Sequence, residues 1–203
     1  MQHEVSRASH NWLFKLGARG VHSNSVEMFN VAVLGHSLSP SELHVEGCSI
    51  SVFRKTGGKW VDLESREFSE FWEKEYDLAI FIFGGNDLVS ASSETVLNRA
   101  LGYIERAKAK CKTIRVCSVE KRNYASNNRF GVVSRWYNRQ RNHYNQKLKR
   151  NLRRVNVGVI DIGVPWLNNE RSGDGVHYNT VGQTNFTRML SRVIRGVKGS
   201  SEV

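Results

Sequence analysis

The sequence has few of the residues that divide or cross-link a chain. Only two prolines, Pro40 and Pro165, occur in 203 residues, and no stretch rich in Pro, Gly or Ser separates one part from another. A chain of this length fits one domain with a full hydrophobic core. The three cysteines are an odd number and include no CxxC pair, so the sequence predicts neither a disulfide framework nor a zinc site. We expect no metal and no cofactor.

Long hydrophobic runs are also absent. The apolar patch at residues 12–14 is short and is followed by Lys15 and Arg19, which is unlike a secretory signal. No run approaches the roughly 20 apolar residues that cross a bilayer. The low cysteine content suits a reducing compartment. Together these features predict a cytoplasmic protein without a signal peptide or a transmembrane segment.

Acidic residues are missing from one long segment. Between residues 121 and 160 the chain has no Asp or Glu but eleven Lys or Arg, whereas the rest has 19 basic and 19 acidic residues. The whole net charge of +11 therefore lies in this segment. A localised positive field predicts an anionic partner: RNA, DNA or an acidic membrane surface. The alternative is a solvated helix face, although such a face usually mixes both signs.

Apolar runs alternate with segments of helical spacing along the chain. Five runs predict strands, at residues 28–35, 48–53, 76–85, 112–119 and 155–163. Four segments predict helices, at residues 69–75, 93–110, 132–155 and 180–197. Strands that alternate with helices indicate an α/β fold with a parallel sheet. Residues 1–27 do not fit this pattern, and we treat them as an unassigned N-terminal extension before a domain at 28–203.

The predicted helix 132–155 is amphipathic and strongly basic. Its apolar face should pack on the core and comprises Val133, Tyr137, Tyr144, Leu148, Leu152 and Val155. Arg141 points towards that apolar face, for which the sequence offers no reason. The residues predicted to bind nucleic acid or another anionic surface are Arg135, Arg139, Lys149, Arg150, Arg153 and Arg154.

Glycines and polar residues follow several of the predicted strands. The groups are Gly35-His36-Ser37, Thr56-Gly57-Gly58, Gly84-Gly85-Asn86-Asp87 and, after the fifth strand, DGVHYN at residues 174–179. The carboxyl ends of parallel strands lie along one edge of a sheet, where open α/β folds keep their sites. We therefore expect these groups to meet in one cleft. The alternatives are that Ser37 is a simple turn serine and that His177 is an exposed loop histidine.

Acyl transfer is the chemistry that uses such a set. A serine hydroxyl is a weak nucleophile until a base, most often a histidine, removes its proton. Asp174 lies three residues before His177 and can accept a hydrogen bond from its second ring nitrogen, which fixes the tautomer. The tetrahedral intermediate needs preorganised donors such as a glycine N–H or an asparagine amide, and losing one typically costs about 10²–10³ in rate.

The blocks VLGHS, TGG, FGGND and DGVHYN resemble, in the same order, the four signature blocks of the SGNH hydrolases, also called GDSL-type esterases. The resemblance covers residues 28–197 and implies a three-layer α/β/α sandwich around a five-stranded parallel sheet, a flavodoxin-like architecture. It implies a serine esterase that hydrolyses acyl esters, such as acetyl or lipid esters. Ser37 would be the nucleophile, with Asp174 and His177 completing the triad.

The same resemblance implies an oxyanion hole with three donors. These would be the N–H of Ser37, the N–H of Gly57 and the side-chain amide of Asn86, with Gly58 as the competing glycine. One position departs from the family: His36 stands where the first block usually has Asp. That Asp is not the triad acid, so we still expect catalysis and a structural role for His36.

Within the family, the chain resembles the esterase domains in the first open reading frames of certain non-LTR retrotransposons, because it is basic and has an aromatic-rich helix. The alternative function is an SGNH-like RNA-binding module that uses the segment 121–160, with weak or no catalysis.

Overall fold

The structure is a computed structural model that describes residues 28–124, 131–162 and 170–201. The predicted extension 1–27 and the end of the fifth predicted strand at residue 163 lie outside these ranges. Within them, no helix is both long enough and apolar enough to cross a membrane.

Five parallel strands form one sheet in the spatial order β2-β1-β3-β4-β5. The strands are β1 (Phe29–Gly35), β2 (Cys48–Arg54), β3 (Tyr76–Ile82), β4 (Cys111–Cys117) and β5 (Gly158–Ile160). The predicted number of strands and the parallel sheet are confirmed. β3 ends earlier than predicted, before Gly84 turns the chain with a φ of +102°. β5 begins later than predicted because Val155 caps the preceding helix and Asn156 turns with a φ of +56°.

In the part of the chain that the structure describes, four α-helices accompany the sheet: α1 (Ser69–Glu73), α2 (Ser93–Ala107), α3 (Ser134–Arg154) and α4 (Thr180–Ser201). Three short 3₁₀ turns span Trp60–Glu64, Arg66–Phe68 and Asp87–Val89. The hydroxyl of Ser92 accepts the N–H of Thr95 at 3.2 Å and so caps the N-terminus of α2.

The sheet separates two hydrophobic cores. In β1, Val31 and Val33 face one core, in which Phe186, Leu190 and Ile194 of α4 are buried. The alternate residues Ala32 and Leu34 face the other core, which contains the buried residues of α2 and α3. Successive side chains of a strand point to opposite faces of its sheet. Helices therefore cover both faces, which is the predicted α/β/α sandwich.

The buried face of α3 is shorter than its sequence pattern predicts. Tyr137, Tyr144, Leu148 and Leu152 are fully buried, as expected. Val133 and Val155 were expected in the core, but they are 65% and 41% exposed. These two residues cap the helix at either end, so their backbone leaves the helical path and their side chains leave the apolar face.

The carboxyl end of β1 is shaped by the close packing of Gly35. A Cβ there would lie 2.1 Å from Ser39 Oγ and 2.9 Å from Ile82 Cβ. Glycine lets the chain turn at once, and the N–H of Ser39 donates to the His36 carbonyl at 2.9 Å. This turn places Ser37 at the carboxyl edge of the sheet, between β2 and β3.

Candidate active site

Three side chains from distant parts of the chain meet at this edge. Ser37 Oγ lies 3.2 Å from His177 Nε2, and His177 Nδ1 lies 2.5 Å from Asp174 Oδ2. A hydroxyl, an imidazole and a carboxylate thus stand in series, each within hydrogen-bond reach of the next. His177 and Asp174 remain 43% and 48% exposed, so the site is open to solvent on one side.

The loop that carries His177 is tightly folded. Gly175 has a φ of +67°, and a Cβ there would lie 1.7 Å from the Asn123 carbonyl oxygen. There is no room for a side chain at this position, because the segments around Gly175 and Asn123 lie close together. The Asn123 N–H donates to the Gly175 carbonyl at 3.0 Å and holds them there. The loop closes on itself through the Ser172 N–H, which donates to the His177 carbonyl at 2.9 Å. Glycine is therefore needed here for both conformation and space.

Asp174 is held as a carboxylate. Partial burial alone would raise its pKa, but hydrogen bonds from the His177 ring and from the N–H groups of His177 and Val176 together hold the pKa well below its usual range. The N–H distances are 3.0 Å and 2.9 Å, and the Ser172 hydroxyl adds a bond at 2.9 Å. A negative charge opposite the ring favours the Nδ1–H tautomer, which leaves Nε2 as a hydrogen-bond acceptor facing the Ser37 hydroxyl.

The predicted oxyanion donors line a cavity that also contains the Ser37 and His177 side chains in its wall. Its volume is about 310 Å³, and its walls include Ser37, Gly57, Asn86 and His177. The amide nitrogen of Asn86 donates to the Gly58 carbonyl at 3.2 Å. The Gly58 N–H is used within its own turn, where it donates to the Lys55 carbonyl at 2.9 Å. Of the two glycines, this geometry favours Gly57, whose φ of +71° also suits glycine.

Sequence reasoning missed a buried ion pair behind the cavity. Arg122 Nε donates to Glu120 Oε1 at 3.1 Å, and the two side chains are 2% and 4% exposed. Burial alone would raise the pKa of Glu120, but Arg122 and other positive neighbours hold it below its usual value. Arg122 was counted with the basic surface segment, although both residues follow β4 at the same sheet edge. Their position directly after this strand is the sequence feature that could have identified them as part of the site.

His36 is buried beside this ion pair. Its Nδ1 accepts the N–H of Leu38 at 3.3 Å, which stabilises the turn that carries Ser37. Burial lowers the pKa of His36 to about 4, and the charges of Arg122 and His177 add to this effect against that of Glu120. His36 is therefore neutral near pH 7 and packs against the turn, in line with the expected structural role.

The basic residues of α3 divide into two groups. Lys147 pairs with Glu94, and Lys149 pairs with Asp161. Arg141 donates to the Val119 carbonyl at 2.9 Å, which explains why Arg141 points towards the apolar face. Five arginines are exposed: Arg135, Arg139, Arg150, Arg153 and Arg154. Within the described ranges, none of these five is within 4.0 Å of a carboxylate. Lys149, predicted to bind nucleic acid or another anionic surface, differs from these five arginines in forming an ion pair, and its binding role stays a prediction.

The family follows from a comparison of the sequence with family models. The model described as GDSL-like lipase/acylhydrolase matches residues 9–188, which is most of the chain. The chain belongs to the GDSL-like lipase/acylhydrolase family. The resemblance drawn from the four sequence blocks is thus confirmed, and membership makes the chain an ester hydrolase. A search of curated protein sequences gave no match.

Solved structures with the same fold agree with this family. A lipase/acylhydrolase from Enterococcus faecalis is 17% identical with a TM-score of 0.64, and the match covers 83% of this chain and 96% of that one. A carbohydrate esterase of family 3 from Talaromyces cellulolyticus is 15% identical, with a TM-score of 0.61 and coverages of 85% and 99%. Axe2, an acetylxylan esterase from Geobacillus stearothermophilus, is 13% identical, with a TM-score of 0.62 and coverages of 80% and 92%. At these identities the likeness establishes the shared fold. The closer resemblance to retrotransposon esterase domains stays a prediction.

Proposed function

We propose that this GDSL-family hydrolase is a serine esterase that cleaves short acyl esters with the triad Ser37, His177 and Asp174. The observation that carries the proposal is the unbroken series from Ser37 Oγ to His177 Nε2 at 3.2 Å and from His177 Nδ1 to Asp174 at 2.5 Å. Nucleophilic catalysis by serine needs this arrangement of hydroxyl, base and orienting group.

The reaction follows from these positions. Ser37 Oγ attacks the ester carbonyl carbon while His177 Nε2 takes the hydroxyl proton. The resulting oxyanion is stabilised by the N–H groups of Ser37 and Gly57 and by the Asn86 amide. The intermediate collapses to an acyl-serine as His177 gives its proton to the departing alcohol. A water molecule, deprotonated by His177, then attacks the acyl group and releases the carboxylic acid and Ser37.

The cavity favours a short acyl chain. A volume of about 310 Å³ lies at the lower end of the range of about 300–1,000 Å³ for ligand pockets. Leu38, Val89 and Val176 supply apolar wall, while Lys59 and Ser90 lie at a polar part of it. We expect p-nitrophenyl acetate to be turned over faster than the octanoate ester. Equal or faster turnover of the octanoate ester would contradict the preference for short acyl groups.

The test of the triad is a pair of serine variants. Ser37→Ala should abolish hydrolysis of p-nitrophenyl acetate and labelling by a fluorophosphonate probe, with unchanged thermal unfolding. Ser39→Ala is the matched control, because Ser39 is two residues away and its hydroxyl is buried without a hydrogen-bond partner in the described structure. Loss of activity in both variants, or in neither, would contradict the assignment of Ser37.

A second candidate function rests on the exposed face of α3. Trp136 is 45% exposed and lies on the same helical stripe as Arg139, His143, Arg150 and Arg153. At 1.5 Å per residue this stripe is about 25 Å long. An exposed aromatic ring beside unpaired arginines is typical of surfaces that stack a base and hold phosphates. We propose that this face binds single-stranded RNA.

Salt dependence and charge removal test the RNA proposal. Binding of a fluorescent single-stranded RNA should weaken steeply as salt rises. Replacing Arg139, Arg150 and Arg153 by Gln should reduce the salt slope by about two, because each phosphate contact on a single strand contributes about 0.7. Trp136→Ala should weaken binding further without changing that slope. Replacing Lys149 by Gln serves as a control, because its charge is paired. If the protein floats with anionic vesicles but binds no RNA, the exposed basic face of α3 is a surface for acidic lipid and the RNA proposal is wrong.

A further inference from the structure

The buried pair of Glu120 and Arg122 has an unexplained position. Taking two charges out of water is costly, and a buried pair is often no more stabilising than apolar residues of the same volume. This pair lies behind the cavity, and Arg122 reaches its wall. The informative question is therefore what the Arg122 guanidinium holds in place.

The guanidinium holds the Asn86 side chain. Both terminal nitrogens of Arg122 donate to Asn86 Oδ1, each at 3.3 Å. The other end of the amide, Nδ2, donates to the Gly58 carbonyl at 3.2 Å. An amide nitrogen carries two hydrogens, so one remains for a ligand in the cavity. A flipped amide would turn its NH₂ towards the guanidinium, which has no acceptor, so Arg122 selects one orientation.

The surroundings fix the guanidinium in turn. A Cβ at position 85 would lie 2.5 Å from a terminal nitrogen of Arg122, so Gly85 leaves the space that this side chain fills. The φ of Gly85 is not positive, and space is the reason for glycine here. Arg122 also donates to the Tyr124 hydroxyl at 3.1 Å and lies over the Tyr137 ring at 5.3 Å. Few rotamers remain open to it.

We propose that Arg122 is a positioning residue for the oxyanion hole. Held by Glu120, its guanidinium orients the Asn86 amide with an N–H towards the developing oxyanion and polarises that amide into a stronger donor. This inference rests on the proposed esterase function, since Arg122 acts through a group that stabilises the transition state of that reaction. It goes beyond the triad and the three donors because it assigns a role to a buried charge outside them.

The first test replaces the Arg122 guanidinium by an ammonium group, which keeps the positive charge but not the two adjacent donor nitrogens. In Arg122→Lys the ammonium can still pair with Glu120 but cannot make two bonds to Asn86. We expect kcat for p-nitrophenyl acetate to fall by about 10-fold or more with KM within about 2-fold, because only transition-state binding is lost. Arg141→Lys is the matched control, because Arg141 contacts Val119 near the same strand end and does not touch Asn86. An unchanged kcat in Arg122→Lys would overturn the inference.

A double-mutant cycle separates positioning from a general structural effect. Asn86→Ala should lower kcat by about 10²–10³. If Arg122 acts through Asn86, then Arg122→Lys should change kcat by less than about 2-fold in the Asn86→Ala background. Equal losses in both backgrounds would show that Arg122 acts on something else, and would overturn the inference.

Two further measurements test the inference if Arg122→Lys does not fold or if the unmodified protein has no esterase activity. If Arg122→Lys unfolds, the double variant Glu120→Gln/Arg122→Met removes both buried charges together and should fold with the same loss of kcat. The side-chain NH₂ resonances of Asn86, identified by their loss in Asn86→Asp, should shift in Arg122→Lys but not in Arg141→Lys. If the unmodified protein hydrolyses no ester, the proposed function fails, and these resonances still test the contact. Resonances that do not move in Arg122→Lys would overturn the inference.

Discussion

The Asp87 carboxylate accepts the backbone N–H of Trp60, with distances of 3.3 and 3.2 Å to its two oxygens. Asp87 follows Asn86 after β3, and Trp60 follows Gly57 and Gly58 after β2. A second bond, from Asn86 to the Gly58 carbonyl, joins the same two loops. The loops that carry two of the proposed oxyanion donors are therefore tied to each other as well as to the sheet.

Removing the hydrogen bond between the Trp60 N–H and the Asp87 carboxylate should lower both the stability of the protein and the rate of ester hydrolysis. Asp87 is fully buried, and Asp87→Ala would leave the Trp60 N–H without its acceptor, which costs about 1–3 kcal/mol. We expect urea unfolding to show this loss and kcat to fall as well. Asp77→Ala is the matched control, because Asp77 accepts the Asn30 N–H at 2.8 Å at the opposite end of β3. It should lower stability and leave kcat unchanged.

Gly175 should be required for the position of His177. Gly175→Ala would place a methyl group 1.7 Å from the Asn123 carbonyl oxygen at a residue with positive φ, so the loop must move. Because a displacement of about 1 Å can cost 10²-fold in rate, we expect kcat to fall by at least about 10-fold. Gly173→Ala, where a Cβ meets nothing within 4 Å, should behave as the unmodified protein. A parent-like rate in Gly175→Ala would contradict this account.

Asp174 should matter for rate more than for folding. In Asp174→Asn the neutral amide no longer favours the Nδ1–H tautomer of His177, so we expect kcat to fall by about 10⁴, as in other triads. The side chain is half exposed, so the midpoint of thermal unfolding at pH 7 should change little. Retention of more than a tenth of the rate would show that His177 is oriented by another group.

His36 should make the protein less stable in weak acid. Its pKa falls from the ordinary 6.5 to about 4 on folding, so between these values the unfolded chain binds a proton that the folded chain does not. Stability is therefore fully present above pH 6.5 and is lost as the pH falls towards 4, by up to about 3 kcal/mol.

The measurement is urea unfolding at several pH values between 7 and 4. His36→Asn keeps a side-chain oxygen that can accept the Leu38 N–H but cannot be protonated in this range. The unfolding free energy of the parent should therefore fall relative to that of His36→Asn as the pH falls. The contribution of Asp174 lies lower, below its ordinary 3.8, because its folded pKa is depressed. A constant difference between pH 7 and pH 4 would contradict the assignment to His36.

The centre of the sheet was predictable because β1 and β3 are buried from both faces. Continuous apolar runs such as residues 78–82 have no alternation that could be confused with a half-exposed strand. Strand ends were harder to predict, because apolar residues continue in the sequence beyond the last hydrogen bond between neighbouring strands. Val155 illustrates this: its side chain is apolar, but its backbone belongs to the end of α3.

The candidate site was predictable where a residue directly follows a strand, as Ser37 and Asn86 do. His177 lies 14 residues after the end of the fifth predicted strand, so its assignment depended on Asp174 three residues earlier and on the family pattern. Glu120 and Arg122 were missed because a count of charges does not distinguish a buried pair from a solvated one. Their burial depends on Gly85, Tyr124 and Tyr137, which no local pattern connects to position 122.

The sheet order has a consequence for how this enzyme can diversify. β1 has β2 on one side and β3 on the other, so the chain leaves β1 and β3 in different directions and opens a crevice above them. The candidate reacting groups stand on separate connections around that crevice, while the strands beneath keep their register. Insertions in those connections can therefore reshape the acyl and alcohol pockets without disturbing the sheet, which makes loop exchange the practical route to altered specificity.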